Sequence, residues 1–248
     1  ADRQKLMDHC RLMGTPGYTR EILPERMLFH AGLVAKFHER KAMQVAHESF
    51  VGYHEITFCG GDRPGLFADL AGVLFSEGFN VLGARIFSRS DGVVIDLFQV
   101  EVADTVHLGV EERVSRIRKK IKKIEDRRES VDDFIRQRTR TYRMKPWRKP
   151  LFGPKVSFDN ESSGACSVIE VSAGDRPGLL YGLATALHRL GLDVRTAKVS
   201  TLTDRAHDVF YVAERDGGKI DGAARRSEIA QGLEAQVQRT AADLGSWT

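Results

Sequence analysis

The hexapeptide Gly61-Asp62-Arg63-Pro64-Gly65-Leu66 occurs twice in this chain. It returns as Gly174-Asp175-Arg176-Pro177-Gly178-Leu179, at an offset of 175 − 62 = 113 residues. The same offset aligns six more identical pairs: Leu70 with Leu183, Ala71 with Ala184, Leu74 with Leu187, Gly78 with Gly191, Val81 with Val194 and Ala84 with Ala197. Because the register holds over about forty residues, the sequence predicts a duplicated structural unit.

The length of 248 residues and the repeat together predict two small domains. Residues 1–48 are predicted to be a helical segment, residues 49–160 the first domain and residues 161–248 the second. A hydrophobic content of 42% is enough for two modest cores, and the net charge of +4 is mildly basic.

Several protein classes are disfavoured by the composition. There is no apolar run of about 18 residues that would span a membrane, and the polar start of the chain has no apolar segment typical of a secretory signal. Cys10, Cys59 and Cys166 are far apart and form no CxxC pair, which argues against a disulfide framework or a zinc site. We therefore expect a cytoplasmic protein without a membrane partner.

The sequence predicts the element order β-α-β-β-α for both units, and the strand pattern at residues 155–159 is predicted to close the first unit. This order predicts an α+β fold of two ferredoxin-like (βαββαβ) domains. Ahead of them, an amphipathic helix is expected to open at Pro24. A long basic helix is predicted from Val110 through Ile135, followed by a linker over residues 140–154.

The repeated turn carries groups that can hold a free α-amino acid. Pro64 suits the first position of a helix and Asp62 is placed to cap it. The amides of Gly65, Leu66 and Phe67 would then point out of the helix N-terminus and favour a ligand carboxylate. Asp62 would face the ligand ammonium group, and Asn80 is expected beside the same turn. A capped, proline-initiated turn with no ligand is the simpler alternative.

The motif Asp-Arg-Pro-Gly-Leu-Phe (62–67), a glycine closing the helix, Asn-Val (80–81) and a β-hairpin resemble an ACT domain, a small module that binds amino acids. The tandem arrangement, with Val-Ser-Phe-Asp-Asn (156–160) leading into Ser-Val-Ile-Glu-Val (167–171), is similar to the C-terminal regulatory region of bifunctional PII-protein uridylyltransferase/uridylyl-removing enzymes. Tyr18, Leu23-Pro24-Glu25 and His30-Ala31 also resemble the segment that precedes the ACT pair in those enzymes.

This resemblance implies sensing of glutamine, with the catalytic domains of the same enzyme and the PII signalling protein as partners. It implies no cofactor in this chain, while the full enzyme is expected to use Mg²⁺. Asp193 departs from the asparagine often found in ACT sites. By motif position, the predicted ligand-binding residues are Asp62, Arg63, Gly65, Leu66, Phe67, Asn80, Val81, Asp175, Arg176, Gly178, Leu179, Leu180, Asp193 and Val194.

We expect no enzymatic activity of this chain alone, because it has no Gly-Ser followed by the Asp-x-Asp metal pair that nucleotidyl transfer uses. His207-Asp208 is predicted to lie in a strand at a sheet edge rather than to bind a metal, and His30 and His38 are predicted to be helix-face residues. A free-standing ACT repeat protein remains an alternative. So does nucleic-acid binding by the basic stretch from Arg113 to Lys149, with Tyr142 and Trp147 interleaved, although the strand at 93–102 has only Phe98 for stacking.

Overall fold

The computed structural model describes residues 2–14, 17–103, 108–141, 153–202 and 205–245. Over these residues, eight antiparallel strands form one sheet in the order β1-β2-β4-β3-β7-β8-β6-β5. The strands are β1 (Gln44–Phe50), β2 (Tyr53–Gly61), β3 (Phe79–Ser88), β4 (Val93–Val102), β5 (Lys155–Asp159), β6 (Ser167–Gly174), β7 (Leu192–Leu202) and β8 (Arg205–Glu214). The helices are α1 (Asp2–Leu12), α2 (Tyr18–Glu21), α3 (Pro24–Arg40), α4 (Leu66–Ser76), α5 (Val110–Glu125), α6 (Val131–Thr141), α7 (Leu179–Arg189) and α8 (Ala223–Gly245).

The sheet consists of two equivalent halves. Strands β1 to β4 form the first unit and β5 to β8 the second, and the two meet where β3 pairs with β7. The pairing joins Ala84 to Ala197, which occupy the same position in the two copies of the repeat. Because equivalent antiparallel strands meet at equivalent residues, the two units are related by an approximate two-fold axis. The predicted α+β fold of ferredoxin-like units is confirmed.

One face of the sheet carries the main core. Alternate strand residues such as Phe58, Phe98 and Phe210 are fully buried there, as the two-residue period of a strand requires. The apolar sides of α4 to α8 cover this face. Helices α4 and α7 lie next to each other, since a methyl group on Gly72 of α4 would come within 2.7 Å of the Tyr181 ring of α7.

The other face of the first unit is covered by the N-terminal helices. Met27, Leu33 and Val34 of α3 pack with Tyr18 and Ile22 against the sheet. The strand residues beneath them are apolar and buried: Cys59, Phe87, Val93, Ile95 and Leu97. Helix α3 begins with Pro24 at its first turn, as predicted.

A buried chain of hydrogen bonds fixes this helical layer to the β3–β4 hairpin. The guanidinium group of Arg89 donates two hydrogen bonds to the carboxylate of Asp91, from Nε and from Nη2. Its Nη1 atom donates to His9 Nδ1 at 2.8 Å. Since Nδ1 accepts, His9 donates from Nε2 to the Tyr18 hydroxyl at 2.8 Å, and that hydroxyl donates to His30 Nδ1 at 2.9 Å. Burial lowers the pKa of His9 to about 4 and that of His30 to about 3, so both rings are neutral at pH 7.

Two strand predictions are wrong. Gln44–Phe50, assigned to the helical segment in part, is strand β1 and pairs with β2. Lys155–Asp159, predicted to close the first unit, instead pairs with β6 of the second. Each unit therefore has the order ββαββα, because the strand that ends a βαββαβ unit stands at the start of the unit here. In both orders this strand lies at the same edge of the sheet and beside the same neighbouring strand, so the arrangement of strands in space is unchanged.

The basic helix is shorter than predicted. It ends at Glu125, and Arg127 has a left-handed φ of 53°. Helix α6 starts anew behind a capping box, in which the Ser130 amide donates to Asp133 Oδ2 at 2.9 Å and the Asp133 amide donates to Ser130 Oγ at 3.3 Å. None of the helices in the described ranges has the length and apolar character needed to cross a bilayer.

Candidate functional site

The two repeated turns have the same backbone shape. Gly65 and Gly178 hold left-handed φ angles of 80° and 78°, which only glycine adopts without strain. The helices begin one residue later, at Leu66 and Leu179. The prediction that Pro64 starts the helix and that Asp62 caps it is therefore wrong, since α4 has no side-chain cap. A tight turn precedes each helix, because the Leu66 amide donates to the Arg63 carbonyl at 3.1 Å and the Leu179 amide to the Arg176 carbonyl at 3.2 Å.

This turn changes which amides remain available. The Leu66 amide, predicted to be free, is used inside the turn. Among the described residues, no acceptor is found for the amides of Gly65 and Phe67. These two N–H groups lie at the N-terminus of α4, where the helix dipole favours an anion.

The first turn faces a cleft between the two units, which we call the first cleft. It has a volume of about 340 Å³, within the range of small-molecule sites. Its lining comes from both units: Asp62, Arg63, Pro64, Gly65, His188, Gly191, Leu192, Asp193 and Arg215. A smaller inner pocket of about 30 Å³ continues past Phe67 and Val194 to the buried side chain of Asp96.

The second turn faces a pocket related to the first by the approximate two-fold axis, which we call the second cleft. Its volume of about 30 Å³ equals that of the inner pocket of the first cleft, to which its lining corresponds residue by residue. Its lining includes Asn80, Val81, Asp175, Arg176, Gly178, Leu179, Leu180, Tyr181, Phe75 and Asp208. Phe75 occupies the position that His188 takes in the first cleft, and a methyl group on Gly178 would lie 3.1 Å from its ring. The two turns therefore have inner pockets of equal size that differ in chemistry, because a histidine lines one and a phenylalanine lines the other.

Each repeated turn lies beside strand residues of the other unit, not beside those of its own unit as predicted. Asn80 was expected beside Asp62, but it lies with Val81 in the second cleft. Asp193 and Val194 line the pocket of Asp62. The cause is the β3–β7 pairing, which places the first residues of each strand beside the turn of the other unit. The expectation that Asn80 lies beside Asp62 is therefore wrong, and Asp193, which departs from the usual asparagine, lies beside the first turn.

The charges around the two turns also differ. Asp62 is exposed at the mouth of the first cleft, yet desolvation by the surrounding protein and the nearby Asp193 raise its pKa. Asp175 is half-buried, and burial raises its pKa as well. Arg63 points outward and pairs with Asp69 at 2.5 Å. Its counterpart Arg176 is buried, and burial lowers its pKa to about 10. The aspartate of the first turn is thus the more exposed of the two.

Sequence reasoning did not single out Asp96 and Asp208 as site residues. They occupy the same position in β4 and β8, are 2% and 1% exposed, and lie at the inner ends of the two clefts. In each of them, Oδ1 has no hydrogen-bond partner within the described structure. A signal was present, because an aspartate recurs at the same position on the otherwise apolar core face of two strands.

Among the described residues there is no group of three His, Cys, Asp or Glu side chains suited to a metal ion. His207 and Asp208 point to opposite faces of β8, where His207 contacts Ser172 Oγ at 2.9 Å. Strand β8 lies between β7 and β6, so its predicted edge position is wrong. His30 is buried on Tyr18, and His38 lies 3.6 Å from Asp91.

The basic helix α5 carries less free charge than its sequence indicates. Arg113 is buried and donates to the carbonyl groups of Glu77 and Leu108. Several other cations have acidic partners within 4 Å: Arg116 with Glu112, Lys120 with Glu77, Lys122 with Asp126 and Lys123 with Glu129. This pairing weakens the nucleic-acid alternative. Tyr142 and Trp147, which belonged to that prediction, lie outside the described residues.

Residues 54–126, which span β2 to α5, match the family model of the ACT domain. The chain is also similar to enzymes described as bifunctional uridylyltransferase/uridylyl-removing enzymes. That of Bradyrhizobium diazoefficiens is 31% identical over 88% of this chain and 24% of the enzyme. That of Rhodospirillum rubrum is 31% identical over 80% of this chain and 21% of the enzyme. This chain therefore spans about a quarter of the length of these relatives, and it resembles their ACT-containing region.

Among solved structures, an unknown protein from Galdieria sulphuraria aligns with 75% of this chain and 91% of its own chain. Its sequence identity is 13% and its TM-score 0.25. A similarity this distant supports no conclusion about function.

Proposed function

We propose that this chain is an amino-acid-sensing regulatory ACT pair and that the first cleft binds the free amino acid. The observation that carries this proposal is the composition of that cleft. It combines the carboxylate of Asp62 and the amide of Gly65 with residues of the second unit around a volume of about 340 Å³, and Phe67 lines the inner pocket behind it.

The α-carboxylate and the α-ammonium group of an amino acid each have a complementary group in the cleft. The ligand carboxylate accepts hydrogen bonds from the amides at the start of α4, where the helix dipole adds to the attraction. The ligand ammonium group lies against Asp62, which is exposed to incoming ligand. Because its surroundings raise the pKa of Asp62, a bound cation stabilises the ionised carboxylate and relieves an unfavourable charge.

Regulation follows from the position of the cleft between the units. A ligand that contacts Asp62 of the first unit and Leu192 or Asp193 of the second stabilises the arrangement of the two units in which both contacts are made. It shifts the equilibrium between arrangements only by the difference in its affinity for them. The turn is also tied to the β3–β4 hairpin, because the Asp62 amide donates to the Gly92 carbonyl at 2.9 Å.

The similarity to the uridylyltransferase/uridylyl-removing enzymes supports a specific ligand and a specific regulatory output. We propose glutamine as the ligand, the cytoplasm as the location, and control of PII uridylylation and its reversal as the output. The direct partners would be the catalytic domains of the same enzyme, which would carry the Mg²⁺-dependent chemistry.

Thermal melting with a panel of amino acids tests this proposal. A ligand that binds only the folded chain stabilises it by RT ln(1 + [L]/Kd), which is about 2.7 kcal/mol at a hundredfold excess over Kd. We expect a rise in Tm with glutamine at millimolar concentration and a smaller rise with alanine, which shares its α-amino and α-carboxylate groups. An unchanged Tm with every amino acid would contradict the proposal.

A further inference from the structure

Asp96 is the most deeply buried carboxyl group beside the first cleft. It lies on the core face of β4, paired across the sheet with Phe58 of β2 and Ile86 of β3. Its side chain lines the inner pocket. Its Oδ1 atom has no hydrogen-bond partner within the described structure.

Folding gives no reason for a carboxyl group at this position. Val94 and Phe98, its neighbours on the same face of β4, are buried apolar residues. An unpaired polar group in such a place is destabilising, whereas a valine would complete the apolar face. Residues that break a local folding preference in this way are typical of functional sites.

The inner pocket favours the neutral acid and disfavours a second anion. Burial raises the pKa of Asp96 well above its usual range, and the charge of Asp62 adds to this effect. Of the cations around it, Arg63 pairs with Asp69 and Arg195 pairs with Asp193 at 3.0 Å, while Arg215 lines the outer cleft but not the inner pocket. A carboxylate entering the inner pocket would be buried beside the acidic groups of Asp62, Asp96 and Asp193.

We propose that the carboxyl group of Asp96 determines specificity in the first cleft by pairing with a primary amide at the end of the ligand side chain. This inference rests on the proposed function, because it assumes that an amino acid occupies the cleft. It goes further by assigning the recognition of the side chain to a residue outside the repeated turn.

The hydrogen-bonding groups of the two partners are complementary. A neutral carboxylic acid offers one O–H donor and one carbonyl acceptor, and a primary amide offers an N–H donor and a carbonyl acceptor. The two form a cyclic pair of hydrogen bonds. The inner pocket of about 30 Å³ is about twice the volume that one water requires, which corresponds to the NH₂ group and the oxygen of a terminal amide. The larger first cleft then holds the α-amino and α-carboxylate groups.

The same pocket discriminates against two ligands of similar length. Glutamate would bring a charge into an apolar and acidic site, which is costly. Methionine carries no such charge, but it would leave the acid without a partner. The preference for glutamine over both should be about 10- to 100-fold in Kd, as expected for one or two buried hydrogen bonds.

Isothermal titration calorimetry of the full chain with glutamine, glutamate and methionine tests this. Asp96→Val is expected to weaken glutamine binding about 10- to 100-fold and to make methionine the better ligand. Asp96→Asn is expected to restore the preference for glutamine, because an amide pairs with an amide in the same way. Melting curves without ligand establish that each variant is folded.

Asp208→Val is the matched control. It removes the equivalent carboxyl group from the second cleft and should leave the preference measured at the first cleft intact. A glutamine preference that survives in Asp96→Val would overturn the inference while leaving the proposed function standing. Absence of binding by all three amino acids to the unaltered chain would overturn both.

Discussion

Replacing Asp208 by asparagine is expected to stabilise the protein by up to about 4 kcal/mol at pH 8 and by almost nothing at pH 4. Burial and the neighbouring Asp175 raise the pKa of Asp208 to about 7, against about 3.9 in an unfolded chain. Each unit of this difference corresponds to about 1.4 kcal/mol. Asparagine has nearly the shape of the neutral acid and never ionises.

The sign follows from proton binding. Between pH 4 and 7 the folded state holds the Asp208 proton and the unfolded state releases it, so this residue lowers stability as the pH rises. Above pH 7 the full cost of the buried charge is present. His9 and His30 act in the opposite direction, since their lowered pKa values reduce stability as the pH falls. The difference between the unaltered chain and the variant cancels their contribution.

Urea unfolding at pH 4, 6 and 8 measures this difference. Asp133→Asn is a control of opposite sign, because hydrogen bonds from Ser130 lower the pKa of Asp133 to about 2. That variant should lose stability to a similar extent at all three pH values, because the contribution of Asp133 is lost only as the pH falls from about 4 towards 2. A stability gain in Asp208→Asn that is the same at all three values would show that Asp208 is not a buried ionisable group.

The second large effect is expected for Tyr18→Phe, which should reduce the free energy of unfolding by about 2 to 5 kcal/mol. Tyr18 is 1% exposed and its hydroxyl bridges two buried histidines. Without it, the N–H group of His9 Nε2 has no acceptor and His30 Nδ1 has no donor. His30 Nε2 already has no partner in the described structure, so without the hydroxyl neither ring nitrogen of His30 has a hydrogen-bond partner there.

Tyr53→Phe is the matched control for this variant. The Tyr53 ring stacks on Phe50 at the β1–β2 hairpin, and no hydrogen bond of its hydroxyl is found in the described part of the chain. Its loss should change stability by less than about 0.5 kcal/mol. Equal effects of the two substitutions in urea unfolding would mean that the histidine bridge contributes nothing to the attachment of the N-terminal helices.

The sequence predicted those features that depend on neighbouring residues. The repeat, the glycine turns before α4 and α7, and Pro24 at the start of α3 all follow from local backbone preferences. Strand β1 was missed because Gln44–Phe50 mixes polar and apolar residues on both faces, and only its pairing with β2 identifies it. The break after Glu125 was missed although Ser130 and Asp133 have the spacing of a capping box.

The site was harder to predict because it forms between the units. The residues of the turn are contiguous, so Asp62 and Gly65 could be chosen from sequence. Spacing along the chain does not reveal that β3 pairs with β7, and this pairing sends Asn80 to the second cleft. The chemical difference between the two pockets includes Phe75 and His188, which occupy equivalent positions in the repeat but come from the opposite unit in each case.

Calorimetric titration of glutamine into the full chain, into Asp62→Ala and into Asp175→Ala tests the central claim most directly. The two substitutions remove equivalent carboxylates from the first cleft, which carries the volume of about 340 Å³, and from the second cleft. We predict one equivalent of glutamine per chain, binding lost in Asp62→Ala, and binding retained in Asp175→Ala. Binding that survives in Asp62→Ala, or that disappears only in Asp175→Ala, would contradict the assignment of the ligand to the first cleft.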